Sequence, residues 1–447
     1  MGPVRFADGP GFSCTRQQPW SSWHWSPCLV TPGGGSSPLV RPTLGAAVKM
    51  PDLSKLEFIL HPMPVEVFLT EYWEKKVLHL RRNTPDYYRH LFSLGDLDSF
   101  LGHSLTNDEV RLARSGSVVA PRVEGEKKTT LYQFYEAYRS GYTPVVRNLH
   151  LCWEPIAEIA NALALAFGCY ISTHLYPTPE DSQGFSAHWD DHDIFALQLE
   201  GAKEWRLYDS GPELPRYSQE RNDYARQRGP TDNPWQIINL EAGDLLYFPK
   251  GVVHEPRART LSSLHLTYGL YPETWESLVT ESLHELAERE PRLQESLPFG
   301  FATGSAASAE IPARAAALAE WVATDARFEP AWNRLAAKVL DKTAPFADGH
   351  FARLGQATRL HAQSALTRRR GTVGVVVPSD EGAVLHYPGG TYRAPAGLVA
   401  ALRFVAEHES FRVLEVPGTA DDPERLRLCR ELIQVGFLRE AGSPDPR

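Results

Sequence analysis

Ser182-Gln-Gly-Phe-Ser-Ala-His-Trp-Asp190 carries a His-x-Asp pair, His188 and Asp190, at the head of an apolar, strand-like run that ends near Tyr208. Lys203 follows His188 by fifteen residues, and another histidine, His254, closes Tyr247-Phe-Pro-Lys-Gly-Val-Val-His. Two imidazoles and one carboxylate on one face of an octahedral ion make the facial triad of non-haem Fe(II) oxygenases. The triad leaves positions open. With 2-oxoglutarate as cosubstrate, two would take the keto acid and one O2, and the far carboxylate would need a cation. A buried ammonium is costly alone, so a bound dianion gives Lys203 a reason to be inside. The competing reading of Lys203 is a solvated turn residue, because it follows Gly201-Ala202.

On a strand, residues two apart point to the same side, so His188 and Asp190 share a face. His192 shares it too. At about 3.3 Å per residue it stands about 13 Å from His188, too far for one ion with bonds of about 2.1 Å. The third ligand must come from another strand. His254 follows a strand and a Pro-Lys-Gly turn, which presents a side chain at a barrel mouth, whereas His265 sits mid-strand between Leu264 and Leu266. The chain has 16 histidines, so taken singly each of these reads as an ordinary histidine; the combined pattern at strand starts is what points to a metal.

The elements that would position these groups are short strands. Cys169–Tyr176, Asp193–Leu199, Glu204–Tyr208, Trp235–Leu240, Asp244–Phe248 and Ser263–Tyr268 alternate and are separated by Gly, Pro and Asp turns. That pattern predicts an antiparallel barrel or jelly roll. Glu241-Ala-Gly-Asp244 is a tight turn, and Lys203 is expected on the strand after the Gly201 turn. Residues 64–110 read as helices, and Pro155–Phe167 as a helix stopped at Gly168. Beyond the barrel, Trp275–Ala287 and an Ala-rich stretch around 313–340 are helical, suited to capping the barrel or to a dimer interface. The last hundred residues alternate short strands, Val373–Val377 and Ala383–Tyr387, with helices, in a winged-helix-like order.

Bulk properties bound the class. A chain of 447 residues is expected to hold two or three domains, with 42% hydrophobic and 23% charged residues, both globular values. The formal net charge of −9 argues against a whole-surface nucleic-acid footprint, so direct nucleic-acid binding is not expected. No apolar run reaches membrane-spanning length. Five scattered cysteines, none in C-x-x-C, fit a reduced cytoplasmic protein. Residues 1–49 are rich in Pro, Gly and Ser without periodicity; they are expected to be disordered or a misassigned start upstream of Met50, and dispensable.

The string from Ser182 to Tyr208 resembles the JmjC ribosomal oxygenases, cupin-type protein hydroxylases. So do Phe68-Leu-Thr-Glu-Tyr-Trp-Glu-Lys-Lys76, Gly243-Asp-Leu-Leu-Tyr-Phe-Pro249 through His254, and Ser263-Leu-His-Leu-Thr267. The resemblance covers about residues 50–275 by motif and the rest by domain order. It implies an α+β chain: a double-stranded β-helix (jelly-roll/cupin) JmjC domain at 50–272 with N-terminal helices, a helical dimerisation region at 273–345 and a winged-helix-like domain at 346–447. It implies Fe(II) on His188, Asp190 and His254, with 2-oxoglutarate on Lys203 and O2 as oxidant. Tyr176 and His174 are expected beside the cosubstrate. The reaction would be hydroxylation of an Arg or His β-carbon, with a ribosomal protein the default substrate and a homodimer the expected assembly. Departures occur at His174 (usually Asn), Trp189 (usually Tyr) and Gly269 (usually a small hydroxyl residue), and His192 is a candidate substrate contact. The alternatives are hydroxylation of a peptide natural-product precursor and a non-catalytic metal-binding cupin that recruits a partner.

Overall fold

The computed structural model describes residues 52–103, 110–119, 130–208, 211–216, 234–259, 261–301, 310–325, 328–345, 347–352, 354, 360–417 and 422–442. The expectations for residues 1–49 lie outside the described residues.

Ten antiparallel strands form the central structure: β1 (Leu78–Leu80), β2 (Val110–Arg114), β3 (Ser117–Val119), β4 (Thr143–Arg147), β5 (Cys169–Thr178), β6 (Asp193–Tyr208), β7 (Gln236–Glu241), β8 (Leu245–Phe248), β9 (Val253–Arg257) and β10 (Ser263–Pro272). They run in the order β1-β8-β6-β10-β5-β4-β2-β3, with β7 and β9 paired to β6. The first half of β6 lies between β10 and β8, and its second half between β7 and β9. One long strand thus belongs to both sheets, and the sheets close on each other as a double-stranded β-helix.

The separate strands expected at 193–199 and 204–208 are one continuous strand. Gly201 explains how. Its φ is +66°, and a Cβ there would stand 1.8 Å from the Ser262 carbonyl oxygen, so only glycine lets the chain bend through without breaking. A register shift opposite Leu264 and His265 accompanies the bend. Before it, Ile194 and Ala196 face the barrel core while Phe195, Leu197 and Leu199 face the outer helices. After it, Trp205 and Leu207 join Ile194 and Ala196 in the barrel core. The inward set changes from even to odd residues, as a one-residue slip in a period-two strand requires. Lys203 is odd and so is carried inside.

The outer face is covered by helices. Glu154–Phe167 puts Ile156, Ile159, Ala160 and Leu163 on one stripe and packs them beside β5. Ser54–Leu60 and Val65–Glu71 add Leu56, Ile59, Leu60 and Phe68 to the same core, which includes Phe195 and Tyr247. Full burial of each such side chain contributes about 1.5–3 kcal/mol. Beyond the barrel come the helices Trp275–Arg289, Glu310–Asp325 and Phe328–Lys342. The C-terminal segment holds two three-stranded sheets. One contains Val375–Ser379, Gly382–Tyr387 and Gly390–Pro395; the other pairs Ala365–Arg368 with Ser410–Arg412 and Leu438–Glu440. The helices Val399–Glu407 and Asp422–Gln434 share their core, where Leu385, Leu402, Leu432 and Phe437 are buried.

Candidate metal centre and its cavity

His188 and Asp190 do not lie on a strand, contrary to expectation: β6 starts at Asp193, and the pair sits in the segment that enters it. That segment runs antiparallel to β9. Asp181 N–H donates to Arg259 O (2.8 Å), Ala258 N–H to Ser182 O (3.0 Å) and Gly251 N–H to Asp190 O (2.8 Å). His188 and His254 form an isolated bridge. The shared face inferred from strand alternation is therefore supplied by pairing with β9. The physical reason is that the chain must still turn between β5 and β6 at this point.

The side chains converge. One ligand atom each from His188, Asp190 and His254 lies within 4.8 Å of the others. Asp190 Oδ2 stands 3.9 Å from His188 Nε2 and 3.6 Å from His254 Nε2. Ligands at neighbouring corners of an octahedron with bonds of about 2.1 Å are about 3 Å apart, so small side-chain rotations complete the set. Both rings have the tautomer a metal needs. His188 Nδ1 is 2.7 Å from Ser186 O and His254 Nδ1 is 3.0 Å from Val252 O. A carbonyl only accepts, so each Nδ1 carries the hydrogen and each Nε2 lone pair is free to bind. Burial, aided by the neighbouring His188, pulls His254 down to about 3 and keeps it a neutral ligand. Two imidazoles and a carboxylate with open space before them fit Fe(II).

The ligands open onto a cavity of about 990 Å³ that is also lined by Lys203, Tyr176, His174 and His192. Lys203 is 4% exposed; the solvated-turn reading does not hold. Its Nζ donates to Thr178 Oγ1 (2.9 Å) and to His265 Nδ1 (3.0 Å). Burial pulls it down to about 7, and burial with the adjacent Lys203 holds His265 well below the ordinary histidine range. His265, the rival ligand in the sequence, is thus the partner of the lysine. Tyr176 stacks on it, with ring centroids 4.6 Å apart and planes within 7°.

His174 lines the same cavity, pulled down to about 4 by burial and then by Arg147, the residue opposite it on β4. His192 Nδ1 is 3.0 Å from Asp191 Oδ1, and its ring stacks on Tyr271 at 4.2 Å. Its space exists because residue 269 is glycine: a Cβ there would lie 2.7 Å from His192 Cδ2 and 2.7 Å from Ser172 Oγ. Sequence reasoning missed Thr178, Arg147, Tyr271 and the β2–β3 hairpin, all of which line the cavity. None has a local signature; long-range strand pairing brings each to the wall.

A jelly-roll barrel holding a His-Asp-His cluster beside a buried lysine places the chain among the cupin-type metal proteins. Residues 150–278 match the model of the JmjC domain. The chain is 33% identical over 239 residues to the bifunctional lysine-specific demethylase and histidyl-hydroxylase NO66 of Dictyostelium discoideum, covering 52% of this chain and 45% of that protein. It is 29% identical over 395 residues to the NO66 of Aedes aegypti, covering 80% of this chain and 57% of that one. The Escherichia coli ribosomal oxygenase YcfD, solved with cobalt and 2-oxoglutarate, aligns at 16% identity with a TM-score of 0.48 over 85% of this chain and 99% of that one. Residues 150–278 thus carry a JmjC domain, and the chain is similar to the JmjC ribosomal oxygenases. It spans about half the length of the curated relatives it matches.

Proposed function

We propose that the chain is an Fe(II)- and 2-oxoglutarate-dependent oxygenase that hydroxylates a side-chain carbon of a protein, of the Arg or His β-carbon type, with a ribosomal protein as substrate. The observation that carries this is the single cavity that joins the three convergent ligand side chains to the buried Lys203. The names of its relatives, histidyl-hydroxylase and ribosomal oxygenase, support the substrate class. His188, Asp190 and His254 would hold Fe(II). Lys203 and Thr178 would take the far carboxylate of 2-oxoglutarate, with Tyr176 and His174 beside it. With both bound, O2 splits between 2-oxoglutarate, which becomes succinate and CO2, and the substrate carbon, which gains a hydroxyl.

The chain's own residues hold and enclose. Carbonyls of Ser186 and Val252 keep the two imidazoles in their binding tautomer. Thr178 and His265 hold the Lys203 ammonium in the barrel, with no carboxylate partner among the described residues, so its charge is available to an entering dianion. Phe248 and Trp205 pack against His254, with ring centroids 4.5 and 5.8 Å away, and shield it from water.

Domain assignment follows the same reading: catalytic domain 50–272, helical dimerisation region 273–345, winged-helix-like domain 346–447, in a cytoplasmic homodimer. Among the described residues no helix is long and apolar enough to cross a membrane. Incubation of the protein with Fe(II), 2-oxoglutarate and purified ribosomes tests the function. A ribosomal protein that gains one oxygen atom supports it. Succinate formation without any such gain points instead to a peptide precursor, and neither product points to a binding module.

A further inference from the structure

The β2–β3 hairpin lies outside the strands that carry the ligands, yet it touches the segment that does. Its turn, Ser115-Gly116, joins paired residues Arg114 and Ser117, and both turn residues have positive φ, +48° and +84°. That is the type I′ geometry of a two-residue hairpin. The turn's two amides donate outward: Ser115 N–H to Gln183 O (2.7 Å) and Gly116 N–H to Gly184 O (3.0 Å). Gly116 also packs on Ser186 so closely that a Cβ on it would stand 2.5 Å from Ser186 Oγ and 3.3 Å from its Cβ. Ser186 in turn supplies the carbonyl that receives His188 Nδ1–H at 2.7 Å.

We infer that the Ser115-Gly116 turn is the positioning element for the metal ligand His188. It clamps residues 183–186 and so holds the Ser186 carbonyl where it selects the Nε2-binding tautomer. His254 needs no such brace, because its carbonyl, that of Val252, belongs to the tight turn entering β9. His188 is in the chain's least regular part of the site, and the hairpin is what makes up the difference. Ser117 and Val118, next to the turn, line the cavity, so a substrate resting there would press on the same brace.

The inference rests on the metal-centre reading, and its test separates the two. Co(II), whose visible absorption reports its coordination, is titrated into the full-length protein and into Gly116→Ala. Loss of groups that orient a metal ligand costs 10- to 100-fold in metal affinity. A Co(II) dissociation constant about tenfold or more above wild type, measured at a temperature where circular dichroism shows the metal-free variant still folded despite the strain at residue 116, is the expected result. Equal affinities in two folded proteins overturn the inference. Wild type supplies a second arm that does not depend on the variant folding. By reciprocity, a brace that favours the metal must be favoured by it. Co(II) should therefore slow hydrogen exchange at the Ser115 and Gly116 amides; slowing confined to 183–190 and 252–256 overturns the inference as well. Wild type that binds no Co(II) sinks the metal centre itself and the brace with it.

Discussion

His188 and His254 exchange both backbone hydrogen bonds, His188 N–H to His254 O at 3.1 Å and His254 N–H to His188 O at 2.8 Å. Their ring centroids are 4.3 Å apart. The spacing of the two imidazoles is thus set by main-chain pairing before any ion arrives, and no metal is needed to draw the ends of 65 intervening residues together. Preorganisation of this kind predicts that removing the metal leaves the fold intact. Addition of EDTA should shift the melting temperature by no more than the loss of binding energy requires, with no change in far-ultraviolet circular dichroism.

Lys203 predicts a pH dependence for 2-oxoglutarate. Burial places its pKa at about 7, well below the usual lysine range. In the free protein the ammonium is fully present below pH 7 and is lost as pH rises through 7. A dianion binds the ammonium, so affinity is highest below pH 7 and falls by up to about tenfold per pH unit above it, with proton uptake on binding. Calorimetric titrations from pH 6 to 9 check the sign, and affinity that rises with pH contradicts it. Lys203→Met should abolish the dependence and weaken binding by about 10²-fold or more, while Co(II) binding stays as in wild type.

Gly201 predicts how Lys203 reaches the interior. Any side chain there meets the Ser262 carbonyl, and its φ of +66° strains an L-residue. Gly201→Ala should cost about 2–4 kcal/mol in urea unfolding and loosen the register that turns odd residues of β6 inward. The barrel and the lysine were both legible in the sequence, but this connection was not. Gly-Ala-Lys carries an ordinary turn signal, and only pairing with Ser263 and Glu241 on two different neighbours turns it into a mid-strand bend. The same limit applies to His188-x-Asp190. Its side chains were read to one face, but by alternation along a strand, whereas pairing with β9 does it. Arg147, Thr178 and the hairpin turn had no signal at all, since each matters through residues far away in the chain. Helix Glu154–Phe167, by contrast, was legible almost to the residue, because its periodicity and its stop at Gly168 are local.

Gly269 predicts a specificity change. Gly269→Ala places a methyl 2.7 Å from both His192 and Ser172 Oγ and must displace the His192 ring from its stack on Tyr271. Overpacking of this kind costs about 1–3 kcal/mol. Co(II) and 2-oxoglutarate affinities should stay within twofold of wild type, because the clash is on the wall away from Lys203. The substrate KM should rise. A variant with wild-type stability and KM would show that the His192 ring is not held there.

The helical region predicts an association. Trp275, Val279 and Leu283 recur every four residues on one face of Trp275–Arg289 and are 82%, 51% and 38% exposed; Trp332 on Phe328–Lys342 is 65% exposed. Burial of that stripe between two copies would account for its apolar character. Sedimentation at micromolar concentration should give a dimer, and Val279→Glu with Leu283→Glu a folded monomer. A wild-type monomer would contradict the prediction.

The proposed function makes His188, Asp190, His254 and Lys203 one Fe(II)- and 2-oxoglutarate-binding site. Anaerobic addition of Fe(II) and 2-oxoglutarate to the protein should produce the visible metal-to-ligand band of a chelated keto acid. His254→Ala should lose the band because no iron is held. Lys203→Ala should need far more 2-oxoglutarate to reach it. A folded wild-type protein that shows no band, or a His254→Ala variant that keeps it, would contradict the account.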